Sequence, residues 1–251
     1  PRSYLAGLKL ANGADATNDI DIAVGQAVDD GNVVAMSLAA ATTKQTDAAW
    51  VVGTNQGCLD TGLVGNNTYH FWLIRRTDTG VVDVLCSLSA TAPTMPTSYS
   101  QKRRIGSVIR AGGTIIAFTQ DGDYFQLNVP TNEWDETIPA TTAQTKTLSR
   151  VPTGINVIWQ GILSVSNPTA GVALGILASD LATTDTAPVQ STGISQLRVN
   201  VDPSISIFGA VEVQVRTNTS AQIRVRSQST AGSPSWTGVG RGWFDRRGRD
   251  D

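Results

Sequence analysis

The sequence predicts an all-β fold of β-sandwich, jelly-roll-like architecture, arranged as two β-domains, and three observations carry that expectation. Charged residues make up 16% of the chain against 40% hydrophobic, so Thr, Ser and Asn supply much of the polar surface. That is the composition of strand faces and turns rather than of disorder. Apolar residues recur at period two in many short runs, with no heptad, fixed-period repeat or long amphipathic helix. Gly, Asn and Asp turn signals separate the runs. A chain of 251 residues suffices for two domains of about 100–150 residues. The pattern places an N-terminal β-domain at 1–128, a linker or crossover at 129–147 and a C-terminal β-sandwich at 148–251.

Taken in order, "DIDIAVG" (19–25) alternates cleanly, and "NVVAMSLAA" (32–40) comes after the "DDGN" turn as a second apolar run. "TTKQTDAAW" (42–50) is expected to hold a single helical turn. "NQGCLDTGLVGNNTYHF" packs three turn signals together, so its loops are tight. In "HFWLIRR" (70–76), His70, Trp72 and Ile74 share one face and Phe71, Leu73 and Arg75 the other. Both faces are largely apolar, which suits a strand buried on two sides or at a subunit contact. "TDTG" then closes a hairpin onto "VVDVLCSLS", with Gly80 free to take the left-handed conformation. "RRIGSVIRAGGTIIAFTQDGDYFQL" (103–127) offers strands around "AGG" and a turn at "DGD".

The stretch 129–147 carries two prolines and a threonine-rich run, hence its reading as a join. Beyond it, "INVIWQGILSVS" (155–166) and "AGVALGILAS" (170–179) flank the turn signal "NPT". "QLRVNV", "VEVQVRTN" and "AQIRVRS" alternate, with Val211, Val213 and Val215 inward, and Ala221, Ile223 and Val225 inward on the last. "TNTS" is expected to join that final pair as a hairpin.

Composition excludes several classes. No window approaches the roughly 18 consecutive apolar residues of a membrane span, so no membrane insertion is expected. The opening Pro1-Arg2-Ser3-Tyr4-Leu5 lacks the plan of a signal peptide, and a lost initiator Met would explain Pro1. A net charge of −2 gives no basis for nucleic-acid binding. Cys58 and Cys86 form no CxxC pair and no disulfide framework, and are read as reduced, with Cys86 as core filler. The last 55 residues carry eight arginines and no lysine, and their plain reading is a set of outward strand positions.

Candidate chemistry is thin. A nucleophilic triad would have to use His70, the one histidine, which sits mid-strand between Tyr69 and Phe71 without an orienting acid. Cys58, Cys86 and His70 lack zinc-ligand spacing. The three glutamates, Glu133, Glu136 and Glu212, form no evident glycosidase pair. In "TQDGDYF", Asp121 and Asp123 make the best acidic cluster, yet they complete no calcium loop, and DG is first of all a turn dipeptide. No phosphate loop is present. In the tail "SWTGVGRGWFDRRGRDD", Trp236, Arg241 and Trp243 fit either stacking on a glycan or docking of the aromatics on the sandwich as a last strand. Trp236, Arg241, Trp243, Asp121 and Asp123 are accordingly the candidate glycan or partner contacts. No catalytic residue, cofactor or metal is assigned.

"YHFWLIRRTDTGVVDVLCSLSATAPTMPTSYSQKRRIGSVIRAGG" resembles a segment recurrent in virion proteins of tailed bacteriophages and prophages, of the tail fibre or phage structural type. "GWFDRRGR" resembles their close and "YLAGLKLANGADATNDIDIAVG" their start, so the likeness spans the chain. The resemblance implies a virion location, a β-rich adhesin-like fold and a homo-oligomer, a trimer by preference. It also implies other virion proteins as partners and host-surface polysaccharide as a target. The chain has no coiled coil or β-helix shaft, so a compact knob, collar, head-fibre or decoration subunit fits its length better than a long fibre. The expected function is a non-enzymatic tail or head fibre adhesin, made in the bacterial cytoplasm and carried on the particle. The alternative is a capsid decoration or connector subunit that binds only virion proteins.

Overall fold

The structure, a computed structural model, describes residues 3–169, 172–189, 195–199 and 207–249. Among these residues are twenty strands and no helix. The chain divides into two compact units, Pro1–Asn128 with Asp245–Asp251, and Val129–Phe244.

The first unit holds β1 (Leu5–Gly7), β2 (Leu10–Asn12), β3 (Asp19–Ile22), β4 (Gly25–Val28), β5 (Ala35–Leu38), β6 (Thr42–Ala49), β7 (Gln56–Leu59), β8 (Thr68–Arg76), β9 (Val82–Ser87), β10 (Tyr99–Ala111), β11 (Thr114–Ile115) and β12 (Phe118–Asp121). β1, β4 and β5 make a small sheet; the other nine, β12 excepted, form one of eight strands in the order β11-β10-β8-β9-β7-β6-β3-β2. The "DDGN" turn is fixed by Asp29, whose Oδ1 accepts the amides of Val33 and Val34 at 2.8 and 2.7 Å. β8 pairs with β9 from His70↔Ser87 to Arg75↔Val82, and the turn between them has Gly80 at φ 76°. β8 is buried without interruption from Thr68 to Ile74. Its second apolar face is thus covered within the chain. Trp72 and Ile74, for example, pack with Leu85, Tyr99, Trp50 and Met95.

Two expectations change here. The segment "TTKQTDAAW" is not a helical turn but β6, paired between two neighbouring strands, with Thr42, Lys44 and Thr46 buried and Thr43 and Gln45 only half-buried between them. Cys58 and Cys86 are not reduced. They form a disulfide, since β7 runs parallel beside β9 and Leu59 is paired with Cys86. A parallel neighbour reached only through the β8–β9 hairpin leaves no mark in cysteine spacing.

β13 (Tyr124–Thr137) begins in the first unit, where its opening residues pair with β12 from Phe118↔Leu127 to Asp121↔Tyr124. The second unit adds β14 (Gln144–Thr147), β15 (Ile158–Asn167), β16 (Leu174–Ser179), β17 (Leu197–Val199), β18 (Ile207–Arg216), β19 (Gln222–Ser227) and β20 (Ser235–Phe244). One sheet runs β13-β20-β15-β18 and the other β14-β19-β16-β17. Each buries one face: Trp159, Leu163, Val165, Val213, Val215 and Trp236 on the first, and Leu174, Ile176, Ala178, Ile223 and Val225 on the second. This is a β-sandwich. Gly238 is required inside it, because a Cβ there would lie 2.2 Å from the Trp134 ring.

The expected join at 129–147 is instead sheet, most of it β13 and β14. Prolines are tolerated on exposed strand positions, and Pro130 occupies one. "TNTS" is not a hairpin either. β18 and β19 belong to different sheets, and Asn218 Oδ1 accepts the amides of Ser220 and Gln222, a turn that carries the chain across the sandwich. "NPT" likewise lies between strands of different sheets. Finally, the C-terminal domain does not run to the end of the described chain: β20 ends at Phe244, and residues 245–249 belong to the first unit.

Candidate functional site

The five residues singled out in the sequence are divided between the two units. Trp236, Arg241 and Trp243 fall in the second unit, Asp121 and Asp123 in the first. Trp236 and Trp243 are each 1% exposed. Their position on the inner face of β20 comes from strand alternation with a register shift beside Gly240. Neither offers a ring to a glycan, so the stacking role is corrected to a core role. Trp236 Nε1 donates to Glu136 Oε1 at 3.0 Å, and Lys146 Nζ stands 5.2 Å from its ring centroid. Arg241 is exposed and pairs with Glu212 at 3.1 Å. Asp121 is exposed at its turn. Asp123 is held by the guanidinium groups of Arg247 and Arg249, so its charge is already neutralised. Among the described residues no group of three or more His, Cys, Asp or Glu side chains stands together.

What the sequence did not reveal is a buried polar network in the first unit. His70 Nδ1 lies 2.8 Å from Ser107 Oγ, directly across the β8–β10 pairing. Arg104 donates to the same hydroxyl at 3.2 Å and grips Asp245 with both terminal nitrogens, at 2.6 and 2.8 Å. The Arg247 amide adds a 2.7 Å bond to Asp245. Burial pushes the Asp245 carboxyl up. The Arg104 charge, its hydrogen bonds and the Arg247 amide more than reverse this, so the group is held below the usual carboxylate range. A serine, a histidine and an aspartate meet here, yet both oxygens of the acid are occupied by arginine. All of these side chains are buried, whereas a nucleophile needs a cleft that admits substrate. The cluster is a brace between β10 and the C-terminal residues.

A second buried pair joins β6 to β9. Lys44, 0% exposed, donates from Nζ to Asp83 Oδ2 at 2.9 Å and to the Val51 carbonyl at 2.8 Å. The Gly53 amide donates to the same Asp83 oxygen at 3.1 Å. Burial pushes the Lys44 amine down, and the Asp83 charge and hydrogen bond restore only part of the loss. "TTKQTD" gives no hint of this, because a lysine on an alternating strand normally points to water.

The first unit also carries two concavities. A shallow trough of about 500 Å³ crosses the small sheet, lined among others by Tyr4, Gln26 and Ser37. A tighter cleft of about 240 Å³ is lined by Asp30, Trp72, Ala90, Thr91, Arg103 and Gly248. Lys102 pairs with Asp30, one of the cleft's lining residues, at 2.6 Å and lies 4.8 Å from the Trp72 ring centroid. No helix among the described residues is long and apolar enough to cross a membrane. Comparison of the chain with protein-family models and with curated proteins finds no match.

Proposed function

We propose that this chain is a non-enzymatic structural protein of a bacteriophage virion, serving as a rigid β-built tail or head fibre module. The observation that supports it best is where the reactive side chains have gone. His70, Ser107, Asp245, Lys44 and Asp83 are all consumed as internal braces, and the two cysteines as a crosslink. A protein braced by a disulfide is suited to conditions outside a reducing cytoplasm, as a released particle is. The likeness of 69–113 to phage fibre segments supplies the virion assignment. Assembly into a homo-oligomer, a trimer first, is part of the proposal and rests on that likeness, since β8 needs no second subunit to cover it.

With Trp236 and Trp243 in the core, contact with host polysaccharide falls to the nominated residues that remain exposed, Arg241 and Asp121. Labelling particles with an antibody to the chain and viewing them by electron microscopy tests the assignment. Density on tail or head fibres is expected, and particles that carry no label overturn it. A glycan array separates the finer readings. Binding weakened by Arg241→Ala or Asp121→Ala supports an adhesin. Labelled particles whose protein binds no glycan would instead make it a decoration or connector subunit. Release of reducing ends from host polysaccharide by the purified protein would defeat the non-enzymatic reading. Sedimentation as a monomer at micromolar concentration would count against fibre-type assembly.

A further inference from the structure

The Lys44–Asp83 pair has the arrangement of reactants rather than only of an ion pair, and the geometry points to an amide crosslink forming between Lys44 Nζ and Asp83 Cγ. Both side chains are almost wholly withdrawn from water. Separated charges are penalised there, so passing one proton from ammonium to carboxylate gives a neutral amine beside a carboxylic acid. Those are the nucleophile and electrophile of amide formation, held by the fold at hydrogen-bond distance, 2.9 Å from nitrogen to oxygen. Such positioning replaces a bimolecular encounter by an intramolecular one.

Each group around the pair has a place in the step. The Val51 carbonyl, 2.8 Å from Nζ, takes one amine hydrogen and fixes the direction of the lone pair. The Gly53 amide, 3.1 Å from Asp83 Oδ2, donates to the oxygen on which negative charge grows as nitrogen adds to the carbon. Gly53 sits at φ 108°, a conformation that side-chain-bearing residues rarely adopt, and this turns its N–H toward the carboxylate. The N–C bond forms and the bond from Cγ to Oδ1 breaks. Oδ1 leaves as water with two protons that both come from nitrogen: the first reaches the carboxyl at Oδ2 along the Nζ hydrogen bond and moves to Oδ1 before nitrogen adds, and the second leaves nitrogen as the tetrahedral carbon collapses. No oxidant or cofactor enters. The product is already accommodated: its N–H keeps the Val51 carbonyl and its C=O keeps the Gly53 amide. Two buried charges are thereby replaced by one satisfied amide, which removes the desolvation penalty of the pair.

The consequence is structural. β7 lies between β9 and β6 in the sheet. The amide would lace β6 to β9 past β7, while the Cys58–Cys86 disulfide ties β7 to β9. Three adjacent strands would then be held by two covalent links of different chemistry, one of them proof against reduction.

Intact-mass spectrometry of the full chain, denatured after a warm overnight incubation, tests this. The expected mass is that of the sequence less the two hydrogens of the disulfide and less one water. After reduction and trypsin, peptide 10–75, uncut at Lys44, should remain joined to peptide 77–102. Lys44→Arg keeps the charge but cannot form the link, and should retain the water. A wild-type chain of full mass that is cut after Lys44 overturns the proposal whether or not the variant folds. So does a lost water that maps elsewhere, as at Asp30-Gly31 or Asp121-Gly122, where a succinimide would shed one too.

Discussion

Neutralising Asp245 should unfasten the first unit from its C-terminal closure. In Asp245→Asn the shape of the side chain is kept, and the Arg104 guanidinium stays buried, its side chain 7% exposed, without that counter-charge. Removing one partner of a buried pair costs about 3–5 kcal/mol, far more than the net worth of the intact pair, because the remaining charge is stranded in low dielectric. An exposed pair gives the control. Arg216–Asp180 keeps its arginine 53% exposed, so Asp180→Asn should change stability by less than about 1 kcal/mol. Urea unfolding gives both values, and native-state hydrogen exchange at His70 and Ser107 localises the effect. The double variant Asp245→Asn/Arg104→Met should recover part of the loss, since the orphaned charge goes with it.

The acid side of the same experiment has a fixed sign. The folded-state pKa of Asp245 is depressed, whereas the unfolded carboxyl titrates near about 3.9. Between those values the unfolded chain binds more protons. The contribution is therefore complete above the unfolded value and is lost as pH falls through the folded one. The gap between wild type and Asp245→Asn should hold steady from neutral pH down to about 5 and narrow only in stronger acid. A variant no worse than the Asp180 control, or a gap that never narrows on acidification, refutes the assignment of this pair as the closure.

Removing the disulfide with Cys58→Ala/Cys86→Ala frees a 28-residue loop. It should lower stability by about 3.5 kcal/mol on the chain-entropy account, and a reductant should shift the wild-type urea midpoint the same way. His70→Ala should cost about 1–3 kcal/mol through the lost Ser107 contact and burial, read by the same melts. Trp236→Ala empties a core position and should cost about 3–5 kcal/mol, with glycan binding, where the array detects it, unaltered. Burial pushes the Glu133 carboxyl up, against the Ser149 amide that donates to it at 2.5 Å. A raised folded pKa gives stability below it that is lost as pH rises, so Glu133→Gln should gain relative to wild type at pH 7 and not at pH 4.

The strands were legible because most obey one rule: β15, β18 and β19 alternate as their sequences do, with Ile223 and Val225 inward as expected. Turns with a local cause were legible too, as at Asp29 and Gly80. Illegible were the choices made between elements. "TNTS" looks the same whether it zips two neighbours or carries the chain to the facing sheet, because local turn chemistry fixes a bend and not the sheet that receives the next strand. The tail was half legible. Core docking was one of the two readings of Trp243 and is the one observed, but which unit Asp245 would join depends on Arg104, 141 residues away in the chain.

The two tryptophans of the candidate site were misplaced for a related reason. Trp236 and Trp243 fitted surface chemistry because aromatic and cationic residues alternate in the tail, and alternation says that two faces differ without saying which one is wet; of the three tail residues only Arg241 faces outward. Lys44 shows the converse. Its neighbours Thr43 and Gln45 made an inward lysine hard to suspect, since its burial is tolerable only through Asp83, Val51 and Gly53, partners supplied by other strands and loops. The buried pairs Lys44–Asp83 and Arg104–Asp245 are made by partners distant in sequence, so their roles become visible only when the sheets are assembled. A functional reading built on polar residues near one another in sequence was bound to favour Asp121 and Asp123, which sit in a turn, over Lys44 and Asp83, which are 39 residues apart and touch.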